Sequence, residues 1–210
     1  MRLVFEQVRT GGDRNLGYLI GDREAGEALL VDPSPAPEPL LERAQAQGLR
    51  ILAILNTHGH PDHTLGNELA QQRTGAPVYG GPGHTSPVDR VLEDGDEVGF
   101  GSYHLQVLTA PGHCTDHLAF LEPTFALGFT GDLLFVGKVG GTGSEADGRL
   151  EWDSLQRLLA TWPAHTTLWP GHDYGACPSS TLALELATNP FLRCGNVETF
   201  LALKARWPAY

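Results

Sequence analysis

Four times in this chain a short apolar run ends in a turn that carries histidine or aspartate, and no other feature restricts the fold as much. Ile51–Leu55 runs into Thr57-His58-Gly59-His60-Pro61-Asp62-His63, and His104–Thr109 into Pro111-Gly112-His113. Phe125–Thr130 leads to Gly131-Asp132, and Thr167–Trp169 to Pro170-Gly171-His172. Short β-branched and aromatic runs bounded by Gly and Pro read as strands. Side chains just past several strands can act together only if those strand ends share one rim. Five histidines and two aspartates would then meet there, a nitrogen and oxygen set suited to zinc, iron or manganese. The 57–63 loop alone could be a polar surface turn in which Asp62 caps the next helix. Three further turns of the same kind leave coincidence a weak competitor.

The rest of the pattern places these turns. Leu3–Val8, Leu16–Ile20 and Ala28–Val31 read as an antiparallel meander, broken by Pro33, Pro35, Pro37 and Pro39. A helix over Leu40–Gln47 closes at Gly48, and a second is expected over Leu65–Arg73, with Leu65 and Leu69 four apart and Gly75 and Pro77 stopping it before a strand at Val78-Tyr79. Pro61 argues against helix through the histidine loop. Residues 80–96 read as a long loop, followed by a second all-β block over Glu97–Phe100, His104–Thr109, Leu118–Leu121 and Phe125–Thr130. Gly137–Gly148 reads as a glycine-rich surface loop. Trp152, Leu155, Leu159 and Trp162 mark one helix face, and Ser180–Thr188 a last helix ended by Pro190. The order β-block, α, β-block, α predicts two sheets with helices outside, in one domain over 1–210 with a short helical tail.

Composition removes several classes. With 14 basic and 25 acidic side chains the net charge is −11, which disfavours nucleic acid as a partner. The start of the chain carries Arg2, Glu6 and Arg9 among its apolar residues, unlike a signal peptide, and no run approaches the length of a membrane span. A cytoplasmic location and no membrane partner are expected. Cys114, Cys177 and Cys194 form no CxxC pair, so a disulfide framework or thiolate zinc site is not expected. Cys114 should pack behind the site, since the neighbour of a ligand in extended backbone faces away, and His84, His104 and His165 belong to no motif.

The four segments THGHPDH (57–63), PGHCTDH (111–117), TGDLLF (130–135) and PGHDYG (170–175) together resemble the metallo-β-lactamase superfamily, and within it the glyoxalase II (hydroxyacylglutathione hydrolase) and persulfide dioxygenase branches. The resemblance extends over roughly Leu16–Pro190. It implies an α+β fold, the four-layer αββα sandwich of two mixed β-sheets flanked by helices, with the site at the sheet edges. It also implies that His58, His60 and His113 hold one metal ion, that Asp62, His63 and His172 hold another, and that Asp132 bridges them. Tyr174 matches a tyrosine that contacts glutathione, and His117 is not assigned as a ligand.

Two divalent ions about 3.5–4 Å apart can share a water and lower its pKa from 15.7 toward about 7, which makes a metal-bound hydroxide available as nucleophile. Asp62 would orient it. A thiol of pKa about 8.5 leaves without a proton donor far more readily than an amine, so a thioester suits a site with no evident general acid. The first expectation is therefore a dizinc thioester hydrolase of glyoxalase II type, with iron or manganese as other metals and a small thiol-conjugated molecule as substrate. Only 38 residues follow His172, too few for the helical C-terminal domain those enzymes usually add. Their basic residue after the glycine-rich stretch is also missing: Gly140-Gly141 stand there, and Lys138 is the nearest cation. Arg193 and Lys204 are the other cations that could take its place. The alternative is a persulfide dioxygenase with one iron on His58, His113 and Asp132. That branch resembles this chain in length and in the stretch from His172-Asp173-Tyr174 to Asn189-Pro190, but places an arginine where Phe191 stands.

Overall fold

A computed structural model describes residues 2–207 of the chain; the ends of the expected 1–210 domain lie outside the described residues. Three strands open it, β1 (Leu3–Gly11), β2 (Asn15–Asp22) and β3 (Glu27–Val31), paired antiparallel as the meander predicts. Helix α1 (Glu38–Ala46) then crosses over to β4 (Arg50–Leu55), which runs parallel to β3. Two short helices, α2 (Pro61–Thr64) and α3 (Asn67–Thr74), lead to β5 (Val78–Gly80) and the two-residue β6 (Arg90–Val91), both added in parallel. These six strands form one sheet in sequence order.

The second sheet uses β7 (Glu97–Phe100), β8 (Tyr103–Thr109), β9 (Leu118–Glu122), β10 (Leu127–Gly131), β13 (Thr167–Pro170) and β14 (Ser180–Thr181), ordered β14-β13-β10-β9-β8-β7. Only β10 and β13 run parallel in it, joined through the small hairpin β11 (Leu134–Phe135) and β12 (Lys138–Val139) and the long helix α4 (Glu145–Thr161). Helices α5 (Leu182–Thr188) and α6 (Val197–Lys204) complete the chain.

Strand alternation sorts the core into three layers. In β2 and β3, Tyr18, Ile20, Leu29 and Val31 face the second sheet and pack with Phe100, Phe120 and Phe129. Their neighbours Leu19, Ala28 and Leu30 face the other way, against Leu40 and Ala44 of α1 and Ala70 of α3. On the far side, Ala119 and Leu121 of β9 and Leu168 of β13 meet Leu155 and Leu158 of α4, Leu182 of α5 and Phe200 of α6. Strands buried on both faces explain why β3 and β9 read as continuous apolar runs instead of alternating ones. At about 1.5–3 kcal/mol for each fully buried Leu, Ile or Phe, the layer between the sheets supplies much of the drive to hold them face to face. The result is the expected αββα sandwich.

The elements depart from the sequence reading in several places. Pro61 does not exclude helix. It opens α2 at the first helical position, where its missing N–H costs nothing. The helix expected over 65–73 begins at Asn67, and Leu65 is left exposed between the two. Residues 137–148 are no open loop: they hold β12 and the first turn of α4, whose Ser144 hydroxyl accepts from Asp147 N. Likewise Ser180-Thr181 pair with β13 as β14, and Thr181 caps the helix that follows. Among the described residues no helix is long and apolar enough to cross a membrane.

Candidate metal centre

The ends of β3, β4, β10 and β13 and the start of β9 come together at one rim, and the four turns meet there. His58 follows β4 after Asn56-Thr57; His113 follows β8; Asp132 and His172 follow the parallel pair β10 and β13. Close approach at this rim depends on Gly131, which has φ +48° and where any Cβ would lie 2.6 Å from Thr57 Oγ1 and 2.8 Å from His117 Nε2.

The side chains fall into two triads. His58 Nε2 stands 3.0 Å from His60 Nδ1, and His113 Nε2 3.1 Å from the same atom. In the second triad His63 Nε2 and His172 Nε2 are 3.3 Å apart, and Asp62 Oδ2 lies 3.4 Å from His172 Nε2 and 3.7 Å from His63 Nε2. Asp132 stands between them. Its Oδ2 is 3.6 Å from His113 Nε2 and 3.4 Å from His172 Nε2, and its Oδ1, buried and without a hydrogen-bond partner, is 3.5 Å from His63 Nε2. Metal–nitrogen bonds of about 2.0–2.1 Å place neighbouring tetrahedral ligands about 3.3–3.4 Å apart, so both triads have the spacing of a donor set around a cation. All seven residues named from the sequence are here.

Every imidazole in the two triads has its outward nitrogen engaged. His58 Nδ1 is 3.1 Å from Thr57 Oγ1, and His63 Nδ1 is 2.9 Å from Asp32 Oδ2. His113 Nδ1 donates to Gly141 O at 2.7 Å, and His172 Nδ1 to Asp13 O at 2.8 Å. The fifth, His60 Nε2, meets Cys114 Sγ at 3.2 Å. Such outer partners fix ring orientation and leave one defined nitrogen for a metal. Asp32 also accepts from Thr57 N and Thr57 Oγ1, tying β3 to the histidine loop, and Asn15 Nδ2 donates to Asp62 Oδ2 at 2.9 Å. None of these partners was marked in the sequence, save that Cys114 was expected to face away. It faces the site, because the turn at 111–114 is bent at Gly112 (φ +144°) and the alternation of extended backbone does not apply.

The electrostatics of the triads differ. Burial, with His63, His117 and the other histidines nearby, holds His58 well below the usual imidazole range, and burial also lowers His113. Neutral nitrogens result, as a metal requires. At the second triad burial again opposes charge on His172, but hydrogen bonds to Asp132 and Asp62 outweigh it and push the imidazole up to about 10. Asp62 is held below the usual carboxylate range, first by His172. Burial would raise Asp132, yet His63 and His172 together hold it low. Without metal, then, protons on the imidazoles balance the carboxylates that a cation would otherwise neutralise.

Beside the second triad, the Tyr174 ring stacks on His172 at 4.6 Å and 2°, its hydroxyl donates to Asp13 Oδ2, and Lys138 Nζ sits 4.1 Å from the ring centroid. Tyr174 and Lys138 are thus at the site mouth. Lys204 is not available to a ligand in the way the sequence suggested, because it donates to Gly140 O and to the buried Glu151. Cys177 is exposed, and His84 is buried beside Asp116, their polar atoms 4.0 Å apart.

The Metallo-beta-lactamase superfamily profile matches residues 10–87. A hydroxyacylglutathione hydrolase of Rhodospirillum rubrum is 39% identical over 188 residues, 88% of this chain and 72% of that protein. The chain belongs to the metallo-β-lactamase superfamily. Within the superfamily it is also similar to the human mitochondrial persulfide dioxygenase ETHE1, 31% identical over 91% of this chain and 75% of that one. The crystal structure of ETHE1 from Myxococcus xanthus superposes with a TM-score of 0.89 at 31% identity, covering 98% of this chain and 92% of that chain. The superfamily fold expected from the sequence is therefore the fold observed, and its His/Asp clusters are those of a divalent-metal protein.

Proposed function

We propose that this chain is a dinuclear metal-dependent thioester hydrolase of glyoxalase II type. The observation that carries the reading is the position of Asp132, whose Oδ2 faces one nitrogen of each triad. His58, His60 and His113 would hold one ion and Asp62, His63 and His172 the other, with Asp132 shared; zinc is the first choice for this nitrogen-rich set, and iron and manganese also fit it. When bound, such a pair polarises a carbonyl and lowers the pKa of water toward neutrality.

The chain's own groups supply the rest. Asn15 fixes Asp62 through Oδ2, which leaves a half-exposed carboxylate at the mouth to orient a water. Lys138 and Tyr174 flank the second triad, where the ammonium can meet an anionic group on the substrate and the ring shields His172. No side chain need protonate the leaving group, since a thiolate departs unaided near neutral pH. The substrate is a small thioester, the bond class that its hydroxyacylglutathione hydrolase relatives are named for. Protein reconstituted with zinc should hydrolyse S-lactoylglutathione with two metals per chain; intact S-lactoylglutathione and S-acetylglutathione after incubation with the dizinc protein would overturn the reading.

A second reading is favoured by likeness in structure, since ETHE1 of Myxococcus xanthus superposes with a TM-score of 0.89 at 31% identity. This chain would then be a persulfide dioxygenase with one iron on His58, His113 and Asp132. Protein purified without added metal decides: one iron per chain with oxygen uptake on glutathione persulfide establishes the dioxygenase in place of the hydrolase.

A further inference from the structure

A cavity of about 740 Å³ opens next to the metal centre, between the β12–α4 connection and α6. Four of its lining residues stand against side chains of the centre. Lys138 and Tyr174 line both, and so do Gly140 and Gly141, whose backbone sits against His113: Gly141 O accepts from His113 Nδ1, and a Cβ on Gly140 would stand 3.1 Å from that atom. A thioester carbonyl at the triads would therefore extend one of its substituents into this cavity. A volume of this size is in the range of small-molecule sites.

One wall is apolar, made by Val139, Phe191, Leu201, Ala202, Ala205 and Trp207, and Thr142 and Ser144 add hydroxyls at the β12–α4 connection. The charged side chains at its edge are Lys138, Glu145 and Lys204. Lys204 is already engaged by Glu151 and Gly140 O, and Glu145 is paired with Arg149 at 2.9 Å. A glutathione thioester brings two carboxylates and an ammonium, and burying such groups without partners is costly. At the mouth Lys138 and Arg14 both approach the Tyr174 ring, and Arg14 already faces Asp13 at 3.7 Å, so the charges of glutathione outnumber the partners that the cavity itself supplies.

Resting on the thioester-hydrolase reading, we propose that this cavity selects substrates with an extended apolar tail, a medium-chain aliphatic or aromatic group, over glutathione conjugates. The tail can come from the acyl side or from the thiol side of the thioester, since both diverge from the same carbonyl. A fully buried methylene is worth about fourfold in binding, so two of them already exceed tenfold.

The experiment compares four thioesters on the zinc-reconstituted protein: S-acetyl-N-acetylcysteamine, S-octanoyl-N-acetylcysteamine, S-acetyloctanethiol and S-acetylglutathione. One of the two long-chain esters should exceed both short ones at least tenfold in kcat/KM, and which one does so identifies the side that carries the tail. Ala202→Glu on α6 and Ala205→Glu just past its end, both exposed and lining the cavity, should abolish that advantage. As a readout independent of turnover, octanoate should bind the metal-free protein in calorimetry, and each Glu variant should weaken it at least tenfold. A faster rate on S-acetylglutathione than on either long-chain ester, or long-chain rates untouched by both Glu variants, overturns the proposal and leaves the hydrolase reading standing. Failure to cleave any of the four, with octanoate still bound, removes the hydrolase reading instead.

Discussion

The two triads of the centre are built from different donors and held by different means. The His58, His60 and His113 triad is all nitrogen, opens to solvent at His60, and is oriented by a hydroxyl, a thiol and a backbone carbonyl. The Asp62, His63 and His172 triad is buried at both imidazoles, contains a carboxylate, and is oriented by the buried Asp32. In the first triad burial keeps His58 and His113 neutral and ready for a cation, while in the second the carboxylates favour a proton on His172 that a cation has to displace. Metal affinity at the second should therefore depend more steeply on pH than at the first.

Asp132 is where the two can be separated. Asp132→Ala removes the one carboxylate that, among the described residues, faces both triads, so at least one metal per chain should be lost and turnover should fall by about a hundredfold to a thousandfold, the range of losing a preorganised charge-stabilising group. Metal content by mass spectrometry and single-turnover rates measure this. Retention of both metals in the variant would refute a bridging role.

Asp32→Asn weighs most on the second triad, because Asp32 touches His63 directly and reaches His58 only through Thr57 Oγ1. The substitution keeps the shape but replaces an acceptor shared by His63 Nδ1, Thr57 N and Thr57 Oγ1 with an amide. Loss of such an outer partner typically costs about 10–100-fold in metal affinity. Chelator competition should show that loss for one ion of the two and a smaller one for the other; equal weakening of both would mean that Asp32 supports the whole rim and not His63 foremost.

How far the sequence reached follows from what carries a signal. The seven ligand-type residues were legible because each sits just past a strand whose apolar run is plain, and the layers followed from that order. Their orienting partners were not. Asp13 O is 159 positions from His172, and a carbonyl or a lone Asp32 between β3 and a proline-rich stretch has no residue pattern of its own. Residues 137–148 misled for a related reason. Glycines there serve contact as well as freedom: Gly140 lies against Asp132 O, and Gly148 inside α4 against Leu201. Composition suggested a loop where tertiary packing required small residues.

Cys114 offers a smaller test, confined to the first triad. Its thiol is pushed up to about 12, mainly by burial, so it stays protonated or accepts weakly from His60 Nε2. Cys114→Ser shortens the reach and should weaken the ion at His58, His60 and His113 by less than about tenfold, below the effect of Asp32→Asn on its own triad. Cobalt-substituted protein gives the check, because its visible bands report the first triad directly. A loss of a hundredfold would make Cys114 a ligand and not a support.

The last contrast lies behind His113. Gly112 packs its backbone directly on Glu151 of α4, where a Cβ would come within 2.4 Å, and Lys204 of α6 joins Glu151 to Gly140 O beside His113. The first triad is thus braced by the C-terminal helices, whereas the second is braced by β3 and the β1–β2 turn. Burial raises Glu151 to about 8 from an ordinary 4.5, with Lys204 pulling the other way. A group raised in this way stabilises the fold below the unfolded value, near pH 4.5, and loses that contribution as the pH climbs to about 8. A tenfold difference in proton affinity between the folded and unfolded chain is worth about 1.4 kcal/mol, and a protein of this size moves by about 2–4 °C per kcal/mol. Relative to Glu151→Gln, which cannot ionise, the wild-type melting temperature should fall by roughly 5 °C or more between about pH 5 and pH 8, then run parallel above it. A constant offset across that range would mean that Glu151 is ionised throughout, held as a carboxylate by Lys204, and that the brace is a true ion pair.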